Sequence, residues 1–596
     1  MSYLDRRNSW LASPSLGEDD KRIIQAMDER ETYEAFYRTL EFGTGGMRGI
    51  MDLGTNRMNV YTIRLAAKAM GMMLQAKSTK AMESLGVFGI KHREKSKHGD
   101  QIKVVIAYDT RNNSRTYAEE TAKVLAACGI RAYLFDRPSP VPLLSFAVRE
   151  LGAHGGVVIT ASHNTKEYNG FKVYDSTGCQ ILPEEASIIA SNMEGIENPL
   201  EIETMKMDDA IIDAGLIVPI GDDIVNRFQN AISGCGKIDD ECALESDLKV
   251  VYTSLHGSGR DYVMEALGRG GFTNVELVKA QEDFDGNFPT VKKPNPEDAA
   301  ALQIAIEQAI KTEADIVIGT DPDCDRIGVA IVDRGDECSE QRAICLTGNQ
   351  TGVLLIDYLC NIEKEIASGK ADNRYKLITT IVTGTLGPLV ARRHGLEVET
   401  VLTGFKYIGD IMNSMERTSW REKFLMGYEE SYGYLVGTHA RDKDGVGTAL
   451  AICRMADYYR AQGKSLLDRL NEIYEDFGYW LDCQESFEFE GSEGIGTMSS
   501  IMADFRRRGE ALFDDLEDKN EGNIAFCDYL KEGGELPRSN VLKYSFLDGS
   551  WMAIRPSGTE PKIKIYYCVG GKDLSAAKER QTRIASQVHS LVDKYR

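Results

Sequence analysis

The sequence contains neither a long apolar run nor a surplus of positive charge. Its longest apolar stretches, such as Gly155–Thr160 and Asp315–Gly319, are strand-sized, whereas a membrane-crossing helix needs about 20 apolar residues. The opening MSYLDRRNSW lacks the basic-then-apolar order of a secretory signal. A formal net charge of −22 disfavours a general nucleic-acid binder, because phosphate backbones attract basic surfaces. We therefore expect neither a membrane nor a nucleic-acid partner, and an anionic ligand would need a local cluster of Lys and Arg.

Paired cysteines and the common nucleotide-binding signatures are also missing. The 12 cysteines include no CxxC pair, so neither a zinc site nor a disulfide framework is predicted, and a reducing cytoplasm fits best. The glycine-rich segments FGTGGMRG (42–49) and LTGFKYIG (402–409) match neither a P-loop nor a dinucleotide fingerprint. Because glycine permits close approach, Arg48 and Lys406 in these segments could still contact an anion.

The organisation of the chain indicates an α/β protein. At about 150 residues per domain, 596 residues correspond to about four domains. Strand-like runs at Lys103–Ala107, Leu248–Thr253 and Leu377–Val382 alternate with helical stretches, a rhythm typical of parallel strands joined by helical crossovers. Residues 486–540 are rich in Glu, Gly and Asp and precede two further strand-like runs, which favours a smaller α+β domain. The charged segment 92–100, HREKSKHGD, is predicted to be a surface insertion.

We therefore predict three similar mixed α/β domains followed by a smaller C-terminal α+β domain. The expected boundaries are residues 1–212, 213–335, 336–465 and 466–596. Each of the four contains one polar segment whose residue types suggest chemistry.

The first such segment spans residues 155–178, where an apolar strand ends in Thr160-Ala161-Ser162-His163-Asn164. A serine at the end of a strand can be held rigidly and presented to a cleft, as a nucleophile or phosphoryl carrier requires. The alternative is that Ser162 only makes hydrogen bonds within a turn.

The second segment, residues 316–333, places Asp321, Asp323 and Asp325 at alternate positions after another apolar strand. Alternate spacing in extended chain points three carboxylates to one side, and hard oxygen donors suit Mg²⁺. The adjacent Arg326 could meet a phosphoryl oxygen. A solvated acidic turn is the alternative, whereas an EF-hand is disfavoured because its Gly and distal Glu are missing.

The third and fourth segments offer groups for a sugar and a phosphate. In residues 427–447, Glu429 and Ser431 supply acceptors for sugar hydroxyls, and Arg441 and Lys443 supply donors for phosphate. Residues 555–567 read RPSGTEPKIKIYY, and their glycine, hydroxyl and cationic groups could wrap a phosphate, although they could also form an ordinary hairpin turn.

In identity and order, TASHN with YNGFK, DPDCDR, EES with RDKDG, and RPSGTEPK resemble the α-D-phosphohexomutase superfamily. FGTGGMRG and LTGFK reinforce the resemblance, which extends from about residue 40 to about residue 570. The chain looks closest to the longer phosphoglucomutase and phosphopentomutase branch.

The resemblance implies three α/β domains and a fourth α+β domain around one deep cleft. It also implies a role for each matching side chain. It implies Ser162 as phosphoserine, Lys172 as general acid/base, Asp321, Asp323 and Asp325 with the phosphate of Ser162 as Mg²⁺ ligands, and Glu429, Ser431, Arg555, Ser557, Gly558 and Thr559 as substrate-binding residues. With the residues chosen from their own chemistry, the predicted catalytic set also includes Arg326 and His163, and the predicted substrate-binding set also includes Arg48, Lys406, Arg441 and Lys443.

Two positions depart from the family pattern. Some members use a histidine in the sugar segment as a second proton shuttle, but this chain has Tyr432-Gly433-Tyr434, so no second shuttle is assigned. Lys564 stands where some glucose-specific relatives have arginine, which weakens the case for bidentate phosphate capture there.

The implied activity is interconversion of glucose 1-phosphate and glucose 6-phosphate, with one Mg²⁺ per site and glucose 1,6-bisphosphate as intermediate and activator. Phosphopentomutase or phosphomannomutase activity is compatible with the same motifs. A metal-dependent phosphatase would also use clustered aspartates, and a sugar-phosphate sensor would also bind the ligand. Neither rival needs both a serine carrier and a separate phosphate clamp.

Overall fold

The structure is a computed structural model, and its description covers most of the chain. The described residues are 2–84, 101–238, 246–333, 342–369, 374–418, 421–489, 491–513, 524–531, 533–534, 536–557 and 562–595. The charged segment 92–100, predicted to be an insertion, lies outside them. Within the described part of the chain, no helix combines the length and apolarity that crossing a membrane requires.

The first domain is a six-stranded sheet with helices on both faces. Three helices precede it: α1 (Tyr3–Ala12), α2 (Glu18–Ala26) and α3 (Glu29–Phe36). Its elements are β1 (Gly46–Ile50), α4 (Val60–Ser84), β2 (Lys103–Tyr108), α5 (Ser114–Ala127), β3 (Arg131–Phe135), α6 (Val141–Glu150), β4 (Gly155–Ile159), β5 (Tyr168–Asp175), α7 (Pro183–Gly195) and β6 (Ile217–Ile220), in sheet order β1-β5-β4-β2-β3-β6. Along β2, Val104 and Ile106 face one core cluster, whereas Val105 and Ala107 face another. This double burial explains the continuous apolar run.

The second domain repeats the pattern with five strands. Its elements are α8 (Asp222–Ile232), β7 (Val250–Thr253), α9 (Gly259–Arg269), β8 (Val275–Leu277), α10 (Ala299–Thr312), β9 (Ile316–Thr320), β10 (Ile327–Asp333) and β11 (Arg342–Cys345), in sheet order β11-β10-β9-β7-β8. Strand β9 is buried at all five positions. It runs parallel to β7 and antiparallel to β10.

The third domain has four strands. Its elements are α11 (Gly348–Ile362), α12 (Lys364–Ala367), β12 (Tyr375–Thr380), α13 (Leu386–Arg393), β13 (Glu397–Val401), α14 (Phe405–Thr418), β14 (Lys423–Glu429), β15 (Gly433–Val436), α15 (Gly445–Arg460) and α16 (Leu466–Phe477), in sheet order β13-β12-β14-β15.

The fourth domain differs, because all of its strands pair antiparallel. It comprises β16 (Tyr479–Glu488), α17 (Gly491–Arg508), β17 (Ala525–Asp528), β18 (Leu542–Ser545), β19 (Trp551–Pro556), β20 (Lys562–Gly571) and α18 (Leu574–Val592), in sheet order β16-β20-β19-β18-β17.

The first three domains share one local device. In each, a parallel strand ends in a short loop and the chain returns as an antiparallel strand: β4 to β5, β9 to β10 and β14 to β15. We call these the serine loop (160–167), the acidic loop (321–326) and the Glu-Glu-Ser loop (429–432). Each loop contains one non-glycine residue in the left-handed region, with φ of 52° at Ser162, 52° at Cys324 and 63° at Tyr432. The repeat supports the similarity predicted for the three domains.

Backbone hydrogen bonds tie the acidic loop to the domains on either side. Val141 N donates to Asp323 O at 2.9 Å from the first domain, and Gly445 N donates to Cys324 O at 3.0 Å from the third. One continuous core cluster includes Phe146, Ile318 and Tyr428, so the first three domains also share apolar packing. The fourth domain has a core cluster of its own.

The predicted fold class, three mixed α/β domains and a smaller C-terminal α+β domain, is confirmed. The predicted boundaries stay a proposal, and the first strand or helix that lies wholly after each of them pairs or packs with the preceding domain. Strand β6 follows residue 212 but pairs with β3 of the first sheet. Likewise, β11 follows residue 335 but pairs with β10, and α16 follows residue 465 but packs into the core of the preceding domains. Strand pairing and helix packing assign β6, β11 and α16 to the preceding domains, and local composition does not reveal either.

Candidate active site

The serine loop and the acidic loop meet directly. The Ser162 hydroxyl donates a hydrogen bond of 2.7 Å to Asp321 Oδ2, although 159 positions separate the two residues in sequence. Ser162 is 3 % exposed, and its backbone N–H donates to Thr160 Oγ1 at 2.8 Å. The fold therefore brings together the serine and the carboxylates that the sequence placed at two separate strand ends.

The acidic loop forms a compact group of buried carboxylates. One oxygen from each of Asp321, Asp323 and Asp325 lies within 4.8 Å of the others. Asp321 Oδ1 accepts from the backbone N–H groups of Asp325 and Arg326, at 3.1 and 3.0 Å. In contrast, Oδ1 of Asp323 and Oδ1 of Asp325 are buried without a hydrogen-bond partner. Unpaired buried oxygens in an all-oxygen donor set fit a hard divalent cation.

The carboxylates perturb one another. Burial and repulsion from Asp323 raise the pKa of Asp321 well above its usual value, and the same two causes raise the pKa of Asp325. Burial is the largest single influence on Asp323 and opposes its ionisation, but the charges of Lys172 and Lys443 and hydrogen bonds to Lys172 and Asp321 together outweigh it, and the net pKa of Asp323 is lowered. Three like charges in one buried loop need compensating positive charge.

Two lysines supply part of that charge. Lys172 Nζ lies 2.8 Å from Asp323 Oδ2 and 3.3 Å from Asp325 Oδ2. Lys443 Nζ lies 3.3 Å from Asp325 Oδ2 and 3.1 Å from Asp442 Oδ1. Burial alone would lower the pKa of each lysine, but the adjacent carboxylates raise both. Lys443, which the sequence suggested as a phosphate donor, therefore lies against the acidic loop beside Lys172.

Glu429 and Ser431 belong to the Glu-Glu-Ser loop of the third domain. Glu429 is 5 % exposed, and its Oε1 accepts a 2.7 Å hydrogen bond from the Gly404 backbone N–H. Ser431 lines a cavity of about 260 Å³ together with Glu430 and Tyr566 of the fourth domain. Burial and the neighbouring Glu429 raise the pKa of Glu430 to about 7. These oxygens can accept hydrogen bonds from hydroxyl groups.

Cationic side chains from three domains line a second cavity. A cavity of about 340 Å³ is bordered by Arg48, Lys172, Lys406 and Arg555. Arg48 Nη1 donates to Asn164 Oδ1 of the serine loop at 2.8 Å, and Lys406 Nζ donates to Thr44 O at 2.7 Å. Such a cavity can hold an anion against several positive groups, despite the negative total charge of the chain.

Arg326 and His163 lie near Ser162. Arg326 forms an ion pair with Glu297, and its Nε lies 3.9 Å from Asp325 Oδ1. His163 Nδ1 lies 3.3 Å from Ser162 Oγ. Burial and the nearby cations, Arg326 first, lower the pKa of His163 well below its usual value, so the imidazole is neutral. Because the Arg326 guanidinium is paired with Glu297, a phosphate would compete with Glu297 for it.

The fourth domain contributes Arg555 and Ser557 at the end of β19. Arg555 pairs across the hairpin with Lys564, and Ser557 N donates to Lys562 O at 2.7 Å. Gly558 and Thr559 lie outside the described residues. Burial and the nearby Arg326 lower the pKa of Lys564 to about 8.

Arg441 corrects one expectation. Its side chain is fully buried and does not face the cleft. The guanidinium donates to Asn413 Oδ1 and to the Thr438 and Ala440 carbonyls, each at 2.8 Å, and pairs with Glu416. Four of the five N–H groups of the guanidinium are thus engaged inside the protein, and the side chain has no exposed surface to offer a substrate phosphate. Its position is structural.

The sequence analysis did not select Arg111, although this arginine contacts the serine loop. Arg111 follows β2 and donates to the Ser162 carbonyl at 2.6 Å, while its partner Asp109 accepts from the Thr160 hydroxyl at 2.6 Å. The sequence feature that could have identified Arg111 is the Asp-Thr-Arg triplet after an apolar strand, because the ends of parallel strands meet at one edge of a sheet.

A buried serine hydrogen-bonded to a carboxylate cluster, with cationic side chains nearby, has the chemistry of a phosphoryl-transfer site, and here it is built on a four-domain α/β scaffold. The chain belongs to the phosphoglucomutase/phosphomannomutase family. Models of that family match its α/β/α domain I at residues 80–199, domain II at 226–335, domain III at 347–477 and its C-terminal domain at 503–587.

Relatives and solved structures agree with this assignment. The phosphoglucomutase of Staphylococcus haemolyticus (strain JCSC1435) is 35% identical over 565 residues, covering 92% of this chain and 94% of its own. The phosphoglucomutase of Staphylococcus aureus (strain MRSA252) is 35% identical, covering 92% of each chain. The open form of pp63/parafusin, a phosphoglucomutase from Paramecium, has the same fold at a TM-score of 0.65 with 15% identity, covering 94% of this chain and 95% of that one.

Proposed function

We propose that this protein is a Mg²⁺-dependent phosphoglucomutase that interconverts glucose 1-phosphate and glucose 6-phosphate through phosphorylated Ser162. The 2.7 Å hydrogen bond between Ser162 and Asp321 is the observation that carries the proposal. A serine carrier and a divalent-cation site need to share one cavity, because the cation must reach the phosphoryl oxygens during transfer. The curated relatives named as phosphoglucomutases support glucose as the sugar.

Asp321, Asp323 and Asp325 would hold the Mg²⁺, with an oxygen of phosphorylated Ser162 completing the set. When bound, the ion supplies neutralisation of the charge that develops on the phosphoryl oxygens. The unpaired Oδ1 atoms of Asp323 and Asp325 support this assignment.

The chain's own groups can balance the transfer. The Ser162 Oγ–P bond breaks and a bond forms between phosphorus and the free sugar hydroxyl, giving glucose 1,6-bisphosphate. The hydroxyl releases a proton and Ser162 Oγ takes one up. We assign that exchange to Lys172, whose Nζ lies in the same buried cluster. Arg326, once released from Glu297, would orient a phosphoryl oxygen.

Completion of the reaction requires the bisphosphate to turn around, so that its other phosphate returns to Ser162. Glu429 and Ser431 would hold the sugar hydroxyls in either orientation. Arg48, Lys406, Arg555, Ser557, Gly558 and Thr559 would hold the phosphate that is not reacting. The ten described cysteines are all free thiols, which supports a reducing, cytoplasmic setting.

The proposed substrate is tested by comparing isomerisation of glucose, mannose, ribose and deoxyribose 1-phosphates, with and without the matching bisphosphate. We expect glucose 1-phosphate to react at least about tenfold faster in kcat/KM, with activation by glucose 1,6-bisphosphate, because hydroxyl-binding sites discriminate against misplaced hydroxyls. Steady release of inorganic phosphate would instead indicate a phosphatase. Tight binding without turnover would indicate a sensor.

Lys406 of the cationic cavity and Lys564, which pairs across the hairpin with Arg555 of that cavity, predict a loss of substrate capture at alkaline pH. Burial lowers the pKa of Lys406 to about 8, and burial with Arg326 lowers that of Lys564 to about 8. Both ammonium groups are charged below that pH and neutral above it. We therefore expect kcat/KM, which reports ionisations in the free enzyme, to fall by up to about tenfold per pH unit above about 8.

Arginine substitution provides the control for this alkaline fall in kcat/KM, since a guanidinium stays protonated over the pH range in which the lysines lose their charge. The double variant Lys406→Arg/Lys564→Arg should retain its kcat/KM to higher pH than the unmodified enzyme. If both proteins lose activity at the same pH, these lysines do not cause the decline.

A further inference from the structure

A long segment of the second domain lies beside both reacting loops. We call residues 282–298 the strap; it connects the short 3₁₀ helix Lys279–Gln281 to α10 without regular secondary structure of its own. A structureless connection of this length is uncommon inside a compact domain and usually has a function. Phe284, near one end of the strap, is partly exposed, whereas Phe288 is only 2 % exposed. The strap therefore includes a point that is anchored in the interior.

Phe288 is anchored against Arg111 of the first domain. The Arg111 guanidinium carbon lies 5.0 Å from the centre of the Phe288 ring, a cation–π contact. Phe288 has a φ of 47°, a left-handed conformation that bulky side chains rarely adopt. Beside it, a Cβ added to Gly286 would lie 2.3 Å from the Asn112 backbone nitrogen, so only glycine permits this approach. Asn287 Oδ1 also accepts from Asn112 Nδ2 at 3.1 Å.

Arg111 in turn fixes the backbone of the serine loop. Its Nη2 donates to the carbonyls of Ser162, at 2.6 Å, and Asn164. Its Nη1 donates to the carbonyls of Thr165, at 2.8 Å, and Tyr168, at 3.1 Å. One side chain thus closes the loop through four carbonyls. The planar guanidinium can satisfy such a set, whereas the single ammonium of lysine cannot reach all of it.

The strap also braces the acidic loop through the turn between β7 and α9. His256, in that turn, places Nδ1 at 2.9 Å from Asp283 O and Nε2 at 3.0 Å from Thr290 Oγ1, both on the strap. Two positions later, Ser258 uses its N–H and its hydroxyl to donate to Pro322 O, each at 2.8 Å. Pro322 lies between the first two aspartates of the acidic loop. The strap is therefore connected to both partners of the Ser162–Asp321 contact.

We propose that Arg111 is a positioning residue that holds Ser162 toward the acidic loop, and that the strap keeps Arg111 in place through Phe288. The inference rests on the proposed function, because it assigns Arg111 a role in phosphoryl transfer. Arg111 contacts the carbonyl of Ser162 and not its hydroxyl, so its effect on the reaction is indirect. In-line transfer is sensitive to displacements of about 1 Å, which can cost about 100-fold in rate.

The test uses the full-length enzyme with Arg111→Lys and, as a milder change, Phe288→Leu. We expect Arg111→Lys to lower kcat by about 100-fold, because the serine loop loses its four-carbonyl closure, while KM stays within about threefold. Phe288→Leu keeps Arg111 and should lower kcat by about five- to tenfold. Transfer of phosphate from glucose 1,6-bisphosphate to Ser162, followed by intact-protein mass spectrometry, should slow by the same factors.

Arg260 and Phe284 provide a matched control. They form the same kind of contact on the same strap, with Arg260 4.1 Å above the Phe284 ring and donating to Glu282 O, but they do not touch the serine loop. Arg260→Lys and Phe284→Leu should leave kcat within about twofold.

Equal effects of the control and test variants, or a loss that appears in KM and not in kcat, would overturn the positioning role. So would an unchanged rate of Ser162 phosphorylation in Phe288→Leu, a variant that tests the role even if Arg111→Lys fails to fold. If the unmodified enzyme does not isomerise sugar phosphates at all, the proposed function fails, which is a separate result.

Discussion

Replacing Ser162 by alanine is expected to lower the rate of glucose 1-phosphate isomerisation by at least about 10⁴-fold, because it removes the oxygen that would carry the phosphoryl group. The substitution removes one hydroxyl, whose hydrogen bond goes to Asp321. It keeps the Cβ atom, so the left-handed backbone at φ 52° is no more strained than before. The rate is measured by coupling glucose 6-phosphate formation to a reporter dehydrogenase.

A second readout separates the carrier role from a general loss of activity. After incubation with glucose 1,6-bisphosphate, the unmodified protein should gain one phosphoryl group and Ser162→Ala should gain none. Ser187→Ala is a suitable control, because that hydroxyl donates only to the Pro183 carbonyl on an exposed part of α7. Turnover by a folded Ser162→Ala protein within about tenfold of the unmodified enzyme would exclude the serine carrier.

Asp323→Asn is expected to weaken Mg²⁺ binding by about 100-fold or more and to lower activity at limiting Mg²⁺ accordingly. Asp323 Oδ1 is buried without a partner, and Oδ2 lies 2.8 Å from Lys172 Nζ. Asparagine preserves the shape of the side chain but removes the negative charge that a hard cation requires. Calorimetric Mg²⁺ titration of the phosphorylated protein measures the affinity, and activity over a series of Mg²⁺ concentrations measures its consequence.

Asp333→Asn is the matched control for this prediction. Asp333 lies at the far end of β10 from the acidic loop and pairs with Arg342, so its removal changes the total charge equally without touching the cluster. Its Mg²⁺ response should match that of the unmodified enzyme. An Asp323→Asn protein that responds to Mg²⁺ as the control does would contradict the assignment of Asp323 as a ligand.

The paired state of Arg326 has a consequence for substrate capture. Its guanidinium is held by Glu297 of the strap, and burial lowers its pKa to about 10, so it remains charged at neutral pH. A phosphate that replaces Glu297 would exchange one anion for another at the guanidinium, so the buried charge of Arg326 would stay paired. The exchange links occupation of the cleft to the strap.

Local patterns predicted the elements on which the site is built. Apolar runs preceding Ser162 and Asp321 predicted buried strands, and both are strands buried at every position. These predictions succeeded because strand burial on both faces leaves a continuous apolar signature in the sequence. The polar residues that follow such strands could be recognised for the same reason.

Other features depended on neighbours distant in the chain. Arg441 and Lys443 are two residues apart and looked equivalent, yet Arg441 is enclosed by Asn413 and Glu416 while Lys443 reaches Asp325. Arg111 offered only a short triplet after a strand, and its function in the fold depends on carbonyls about 50 positions later. For a related reason, local composition did not show that β6 pairs with β3 of the first sheet.

The sequence by itself determined the strands and the residue types at their ends, because these depend on burial and spacing over a few consecutive residues. The family was indicated separately, by the resemblance of the motifs in identity and order. The tertiary structure alone decided which strand ends meet. It also decided which cationic side chains line the cavity and which form all their contacts in the protein interior. Those outcomes depend on sheet order and domain packing, which place Ser162 beside Asp321 and close Arg441 off from it. A hydrogen bond of 2.7 Å depends on the whole fold, and no local pattern specifies it.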